Sequence, residues 1–377
     1  MSAPLADLAL VDHHCHGVVR RELDRTGFEE LLTESAGPHP LGGSLFDSQV
    51  GFAVRRWCAP VLDLPVHATP EEYLARRAEL GADESTRRLL AASGTGTFLV
   101  DSGFEPEPIT SPAELAELTG AMAYEVVRLE RLAEETVLAG TSATGFAEEV
   151  RRLLWERTRS AVGLKSIAAY RVGLELAPDR PSAQEVTDAA GRWLSDIEGD
   201  TGGGGVRCAD EVLIRFLIWE GVDRALPLQF HVGVGDSDVD LQRCDPLLLT
   251  ALLRATQSTG VPIMLLHNYP FHRRAGYLAQ VFPHVFVDLG LATHNLGRGA
   301  SRVIAESLEL TPFGKFLYSS DAYGLPELYH LGATLFRRGL DSFLTAGVQA
   351  GDWSAADAER VAELVCAGNA RRAYRLE

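Results

Sequence analysis

Two histidines two residues apart, at the end of an apolar run, are the first chemistry this chain offers. The run is Val11-Asp12-His13-His14-Cys15-His16-Gly17. In an extended strand alternate side chains share a face, so His14 and His16 point together, and His13 points away with Cys15. A pair of imidazoles on one face at a strand end makes half of a divalent-metal site. Alone, the pattern reads equally well as a polar strand end with surface histidines. Four other residues stand in the same relation to an apolar run: Lys165 after Val162-Gly163-Leu164, His231 after Leu228-Gln229-Phe230, His267 after Met264-Leu265-Leu266, and Asp321 after Tyr318-Ser319-Ser320. Nitrogen and carboxylate ligands, a general acid or base and a cation for an oxyanion are all present in this set.

Such residues act together only if the fold brings the strand ends to one place. Short apolar runs alternate with amphipathic stretches along most of the chain, the rhythm of a parallel sheet with crossover helices. The runs begin with Leu8 to Val11, Thr97 to Val100, Glu125 to Leu129 and Val162 to Ile167. Leu226 to Phe230, Pro262 to Leu266, Val285 to Val287 and Phe316 to Tyr318 complete the series. Their near-continuous hydrophobicity suits strands covered on both faces. Helical patterns fill the gaps, for example over 145–159, 182–197, 246–259, 273–282 and 300–309. Repetition of this unit predicts an α/β fold, a (β/α)₈ TIM barrel, whose strand C-termini face one cavity. No G-x-G-x-x-G follows a strand, which argues against dinucleotide binding.

The rhythm breaks twice. Roughly eighty residues with helical pieces around 28–32, 44–57 and 70–90 separate the first two runs, and a segment that long is expected to cover the active-site mouth. The expected organisation is therefore one domain over 1–377, with an insertion over about 20–95. The second break, Asp200-Thr201-Gly202-Gly203-Gly204-Gly205, reads as a surface turn.

Charge and cysteine usage narrow the function classes. The 35 basic and 52 acidic side chains give a net charge of -17, unsuited to nucleic acid or an anionic membrane surface. No apolar run is long enough to span a bilayer, and the first residues lack the pattern of a signal peptide. The five cysteines form no C-x-x-C pair and read as free thiols, which places the protein in the cytoplasm. A small-molecule substrate and a homo-oligomer are the expected partners.

Asp12-x-His14-x-His16 and Ser319-Ser320-Asp321-Ala322 resemble the strand-one and strand-eight motifs of the metal-dependent amidohydrolases. Within them the chain is similar to the amidohydrolase-2 subgroup, and most of all to the amidohydrolase domain of nodulin/glutamine-synthetase-like proteins. The segments carrying that similarity are Leu164 to Arg171, Gln229 to Gly233, Leu265 to Phe271 and Phe316 to Ala322. No glutamine-synthetase-like domain is expected after Glu377.

The resemblance implies a metal held by His14, His16, His231 and Asp321. Zn²⁺ suits three imidazoles and a carboxylate, with Mn²⁺ as the alternative. A water on that ion would have its pKa lowered towards ~7. Asp321 would take its proton, and His267 would polarise a carbonyl or protonate a leaving group. Lys165 has two readings: a carboxylated bridge between two ions, with His231 and His267 on the second, or an uncarboxylated cation for substrate. One ion and the second reading are preferred. Arg171 would clamp a substrate carboxylate, or else lie on a solvated surface. His294, in the loop after strand seven, would touch substrate, and Asp101 would support a ligand from behind. Trp57, Arg55 and Arg56 read as a lid or as helix packing. His39, His67, His272, His284 and His330 read as structural or surface residues.

The expected activity is hydrolysis of a non-peptide C–N (amide) bond in a small carboxylate-bearing substrate, with a γ-glutamyl amide as the candidate. A non-oxidative decarboxylase of the amidohydrolase-2 type would use the same metal residues, and an inactive metal-binding module is the third reading.

Overall fold

The computed structural model describes residues 5–376, apart from 36, 38, 39, 105 and 200–204. His39, most of the glycine-rich turn and the first four residues thus lie outside the described residues. Seven strands form one parallel sheet in chain order: β1 (Leu10–Cys15), β2 (Thr95–Asp101), β3 (Met122–Arg128), β4 (Gly163–Ser166), β5 (Leu228–Val232), β6 (Ile263–His267) and β7 (Val285–Val287). Helices follow the strands and cover the outside. Leu10, Leu164, Leu228, Phe230, Ile263 and Leu265 pack outward against them in a continuous apolar layer. Val11, Leu99, Val126, Met264, Leu266 and Leu317 pack inward, and Ala370, Ala373 and Tyr374 of the last helix, Asn369–Tyr374, join them. This alternation between two apolar layers explains why the strand sequences carry so few polar residues before their C-termini.

The run expected as an eighth strand is not one. Residues 316–322 lie between β7 and β1 without a regular ladder. Leu317 N–H donates to Val287 O (3.0 Å), and His13 N–H donates to Tyr318 O (3.1 Å). The reason for the irregularity is local. Asp12 accepts from both the backbone N–H (2.9 Å) and the hydroxyl (2.5 Å) of Ser320, replacing a main-chain partner by a side chain. Asp321 then turns to a positive φ of 51°, its N–H donating to His14 O at 3.0 Å. The curled sheet is thus joined edge to edge by side-chain and single main-chain bonds, as in a TIM-type barrel.

Between β1 and β2 run the helices Arg25–Glu30, Gln49–Ala53, Pro70–Leu80 and Ala82–Ser93. The stretch expected as one helical piece over 70–90 is two helices. Thr69 and Glu72 form a capping box at the start of the first, and Gly81, at φ +80°, separates it from the second. Phe28, Phe46, Val54 and Tyr73 share an apolar cluster with Tyr329 and Leu335 of the 25-residue helix Pro326–Ala350. Beneath it, Glu327 Oε1 accepts from Tyr73 Oη and Arg77 Nε, each at 2.9 Å. All five cysteines are free and buried. Among the described residues no helix is long and apolar enough to cross a membrane.

Candidate metal centre and cavity

A cavity of about 710 Å³ opens at the C-terminal ends of the strands. His14, His16, Lys165, His231, His267, His294 and Asp321 line it, so residues from the ends of four strands meet two from the segments that follow β7. The ligand atoms of His14, His16 and Asp321 all lie within 4.8 Å of one another. Asp321 Oδ1 is 2.9 Å from His14 Nε2 and 3.4 Å from His16 Nε2.

The hydrogen bonds behind these rings fix what their front nitrogens present. His16 Nδ1 lies 3.1 Å from the carbonyl oxygen of Asp101, which only accepts, so Nδ1 carries the hydrogen. His14 Nδ1 lies 2.8 Å from Gln229 Oε1. The Gln229 amide nitrogen is occupied by His13 O (2.7 Å) and Tyr374 Oη (2.8 Å), so its oxygen faces His14, which donates as well. In their neutral forms both rings therefore turn the Nε2 lone pair towards a carboxylate oxygen. Burial, reinforced by the nearby Lys165, lowers the His14 pKa to about 4, which keeps that ring neutral. With both rings neutral, as metal ligation requires, three acceptors converge, an arrangement that a divalent cation relieves. The residues present fit the implied metal on this ground.

His231 lies beside this group. Its ring sits 4.6 Å from that of His267 and 4.6 Å, edge-on, from Tyr170. Its Nε2 is buried with no hydrogen-bond partner, and burial followed by Lys165 pushes its pKa well below 6.5. His267 takes a positive φ of 69° at the end of β6. Its backbone N–H donates to Asp288 Oδ1 (2.6 Å), and Leu291 N–H donates to its Nδ1 (3.4 Å). That leaves the hydrogen on Nε2, which is buried without a partner. Asp321 Oδ2 lies 3.5 Å from the same Nδ1. Lys165 is almost fully buried, and burial lowers its pKa to about 8.

Several sequence-based expectations change in detail. Cys15 faces away as expected, towards Leu99 O, but His13 does not join it. A bulge between Asp12 and Cys15 breaks the alternation, and His13 meets Tyr374 Oη (3.0 Å) and Asp288 Oδ2 (2.9 Å). Arg171 reaches the cavity, yet Nη2 is held by Glu134 Oε1 at 3.0 Å. Asp101 supports His16 through its carbonyl, while its carboxylate holds Arg128 Nη2 at 2.6 Å. His294 is buried, with a pKa lowered by burial to about 4 and no partner for Nδ1. Trp57 is packing: Arg56 and Arg338 stack on it at 4.4 and 4.6 Å, and Arg55 bonds Ala68 O. His272, His284 and His330 bond Glu306, Thr256 and Trp57 O respectively.

Sequence reasoning missed Gln229, Asp288, Arg128, Tyr170, Glu34 and Asp236. Gln229 was within reach, because it lies two residues before His231 and alternation puts both on one face. Arg128 ends β3, the position at which a barrel strand delivers its functional residue. Glu34 and Asp236 lie on irregular loops, where no periodicity marks a direction.

An α/β sheet whose strand ends converge on a His-x-His and an aspartate defines a metal-site protein of the TIM-type class. The family model for amidohydrolases (Amidohydro_2) matches residues 11–376, and the chain belongs to that family. A candidate metal-dependent hydrolase of Lactobacillus casei is 30% identical, with 98% of this chain and 96% of that chain covered at a TM-score of 0.84. Protein fluG of Emericella nidulans is 26% identical over 97% of this chain, which spans 46% of that protein's length. A uronate isomerase of Bacillus halodurans shares the fold at 14% identity and a TM-score of 0.62, over 99% of this chain and 94% of that one.

Proposed function

We propose that the protein is a metal-dependent hydrolase that cleaves a non-peptide amide bond of a small carboxylate-bearing substrate, with a γ-glutamyl amide as the candidate. The observation that carries this reading is the convergence of the His14 and His16 Nε2 lone pairs on Asp321 Oδ1 at 2.9 and 3.4 Å. His14, His16 and Asp321 would hold one divalent ion, Zn²⁺ on the strength of the donor set, with His231, whose buried Nε2 has no hydrogen-bond partner, as the fourth candidate ligand beside them. When bound, the ion acts as a Lewis acid and acidifies water. The chain is read as one (β/α)₈ domain, its insertion roofing the cavity with Glu30 to Ser35.

The protein groups divide the remaining work. Asp321 Oδ2, turned away from the two histidines, accepts the proton of the attacking water. His267 presents Nε2–H to the cavity and polarises the substrate carbonyl as that oxygen gains charge. Lys165 Nζ stands as a buried cation for the same oxygen or for a substrate carboxylate, and Arg171 and His294 line the binding space. Incubating zinc-loaded protein with a γ-glutamyl amide and, separately, with an aromatic carboxylic acid tests the reading. Release of ammonia or amine is the expected result. Release of CO₂ from the acid, with the amide untouched, assigns a decarboxylase instead.

A further inference from the structure

Tyr170 stands on the cavity wall, in the short helix Ala168–Arg171 that follows β4. Its backbone is tied on both sides: Tyr170 N–H donates to Ile167 O (2.9 Å), and Tyr170 O accepts from Arg207 Nη2 (2.7 Å). Its ring lies edge-on against His231, with centroids 4.6 Å apart, and the His267 ring packs on the same imidazole at 4.6 Å.

The hydroxyl is placed as firmly as the ring. It abuts Gly235 so closely that a Cβ there would overlap Oη, and the same Cβ would lie 3.0 Å from His231 Nε2. Hydroxyl and ring nitrogen thus sit close together across one glycine. The turn that carries Gly235 is itself pinned. Gly233 takes a φ of +77°, where a Cβ would overlap Tyr269 O, and Val234 N–H donates to that carbonyl at 2.8 Å. The Asp236 backbone N–H bonds the phenolic oxygen. A phenol that accepts from a backbone N–H still has its own hydrogen to give. Among the described residues no acceptor takes it, and His231 Nε2 stays without a partner.

We propose that Tyr170 donates a hydrogen bond to the substrate oxygen that gains negative charge in the reaction, and so shares an oxyanion site with His267. Both donors pack on the His231 ring, so an oxygen brought to that ring meets the two together. The hydroxyl keeps its proton throughout, and the proton accepted by Asp321 is unaffected. A donor already fixed by its neighbours has no reorganisation to make as charge builds up, which is where such groups gain most. The inference deepens the amide-hydrolase reading and rests on it only for the identity of that oxygen, the amide carbonyl.

Tyr170→Phe removes the hydroxyl and leaves the ring. Methylphosphonate is the probe of the donor itself, because it presents anionic oxygens whatever bond the enzyme cleaves. Calorimetric titration of zinc-loaded protein is expected to show about tenfold to a hundredfold weaker binding in the variant at unchanged zinc content, the span of a hydrogen bond to a charged group. In crystals of the zinc-loaded wild type soaked with the probe, a phosphonate oxygen should lie within hydrogen-bond distance of Tyr170 Oη. Equal affinity in the two proteins, no binding by the wild type, or phosphonate oxygens turned away from Oη overturns the assignment. With γ-glutamyl anilide as substrate, Tyr170→Phe should lower kcat by about 10²–10³-fold and leave KM nearly unchanged. The two readings fail separately. Phosphonate bound through Tyr170 with no anilide cleaved leaves the donor and removes the hydrolase. Cleavage by Tyr170→Phe at the wild-type kcat leaves the hydrolase and removes the donor.

Discussion

Gln229 and His14, 215 positions apart, are joined by a 2.8 Å hydrogen bond whose direction is set by everything behind it. His13 Nε2–H donates to Asp288, and Tyr374 O–H donates to His13 Nδ1. Gln229 Nε2–H donates to Tyr374, and His14 Nδ1–H donates to Gln229. A chain of four hydrogen bonds through five side chains thus ends on His14, and its middle member, Tyr374, belongs to the last helix. Gln229→Leu removes the acceptor and frees the ring to flip. Metal titration of that variant should show about 10- to 100-fold weaker binding, the usual cost of losing such a support. Unchanged affinity would show that His14 needs no orientation.

Gly290 lies against His267 at φ +36°, and a Cβ there would overlap His267 Nδ1 and approach Ser319 Oγ at 3.0 Å. Gly290→Ala should displace the imidazole. Steady-state kinetics should show a fall in kcat of about 10²-fold or more, the scale of a misplaced general acid–base group, with zinc content retained. Wild-type kcat would mean that His267 does not act on the substrate.

Glu327 joins the helix Pro326–Ala350 to Tyr73 and Arg77 of the segment between β1 and β2, and both charged partners are almost fully buried. Glu327→Ala leaves a buried guanidinium without its counter-charge. Denaturant unfolding should record a loss of about 3–5 kcal/mol. A loss below about 1 kcal/mol, the size of an exposed pair, would show that the segment is not fastened there.

Burial, with a smaller contribution from Lys315, lowers the pKa of His284 to about 4 from its usual 6.5. The unfolded chain therefore takes up this proton at a higher pH than the folded one. Stability should fall as pH drops from about 6.5 to about 4, then stop falling on this account. His284→Asn should flatten the slope of melting temperature against pH inside that window and leave it unchanged above pH 7. Parallel slopes for the two proteins would contradict the assignment.

Much of the site could be read from the sequence because a parallel strand announces its own C-terminus: an apolar run stops and a polar residue follows. His14, His16, Lys165, His231, His267 and Asp321 were all found in this way, and all line one cavity. The same rule failed for the eighth run, where Asp12 replaces a ladder partner for Ser320 and no regular strand forms. It also misdirected His13, since a bulge that turns a strand leaves the identity of its residues unchanged. Tyr374 could not have been placed at all. Its role depends on the last helix reaching the inner layer beside Met264 and Leu266, a contact with no local signature.

The central claim is that His14, His16 and Asp321 hold a transition metal. X-ray anomalous scattering at the zinc edge from crystals of the zinc-loaded protein tests it most directly. The predicted result is a single anomalous peak between His14 Nε2, His16 Nε2 and Asp321 Oδ1, absent from crystals of Asp321→Ala. Zinc-loaded crystals with no peak at that position, or a peak that persists there in Asp321→Ala, would contradict it.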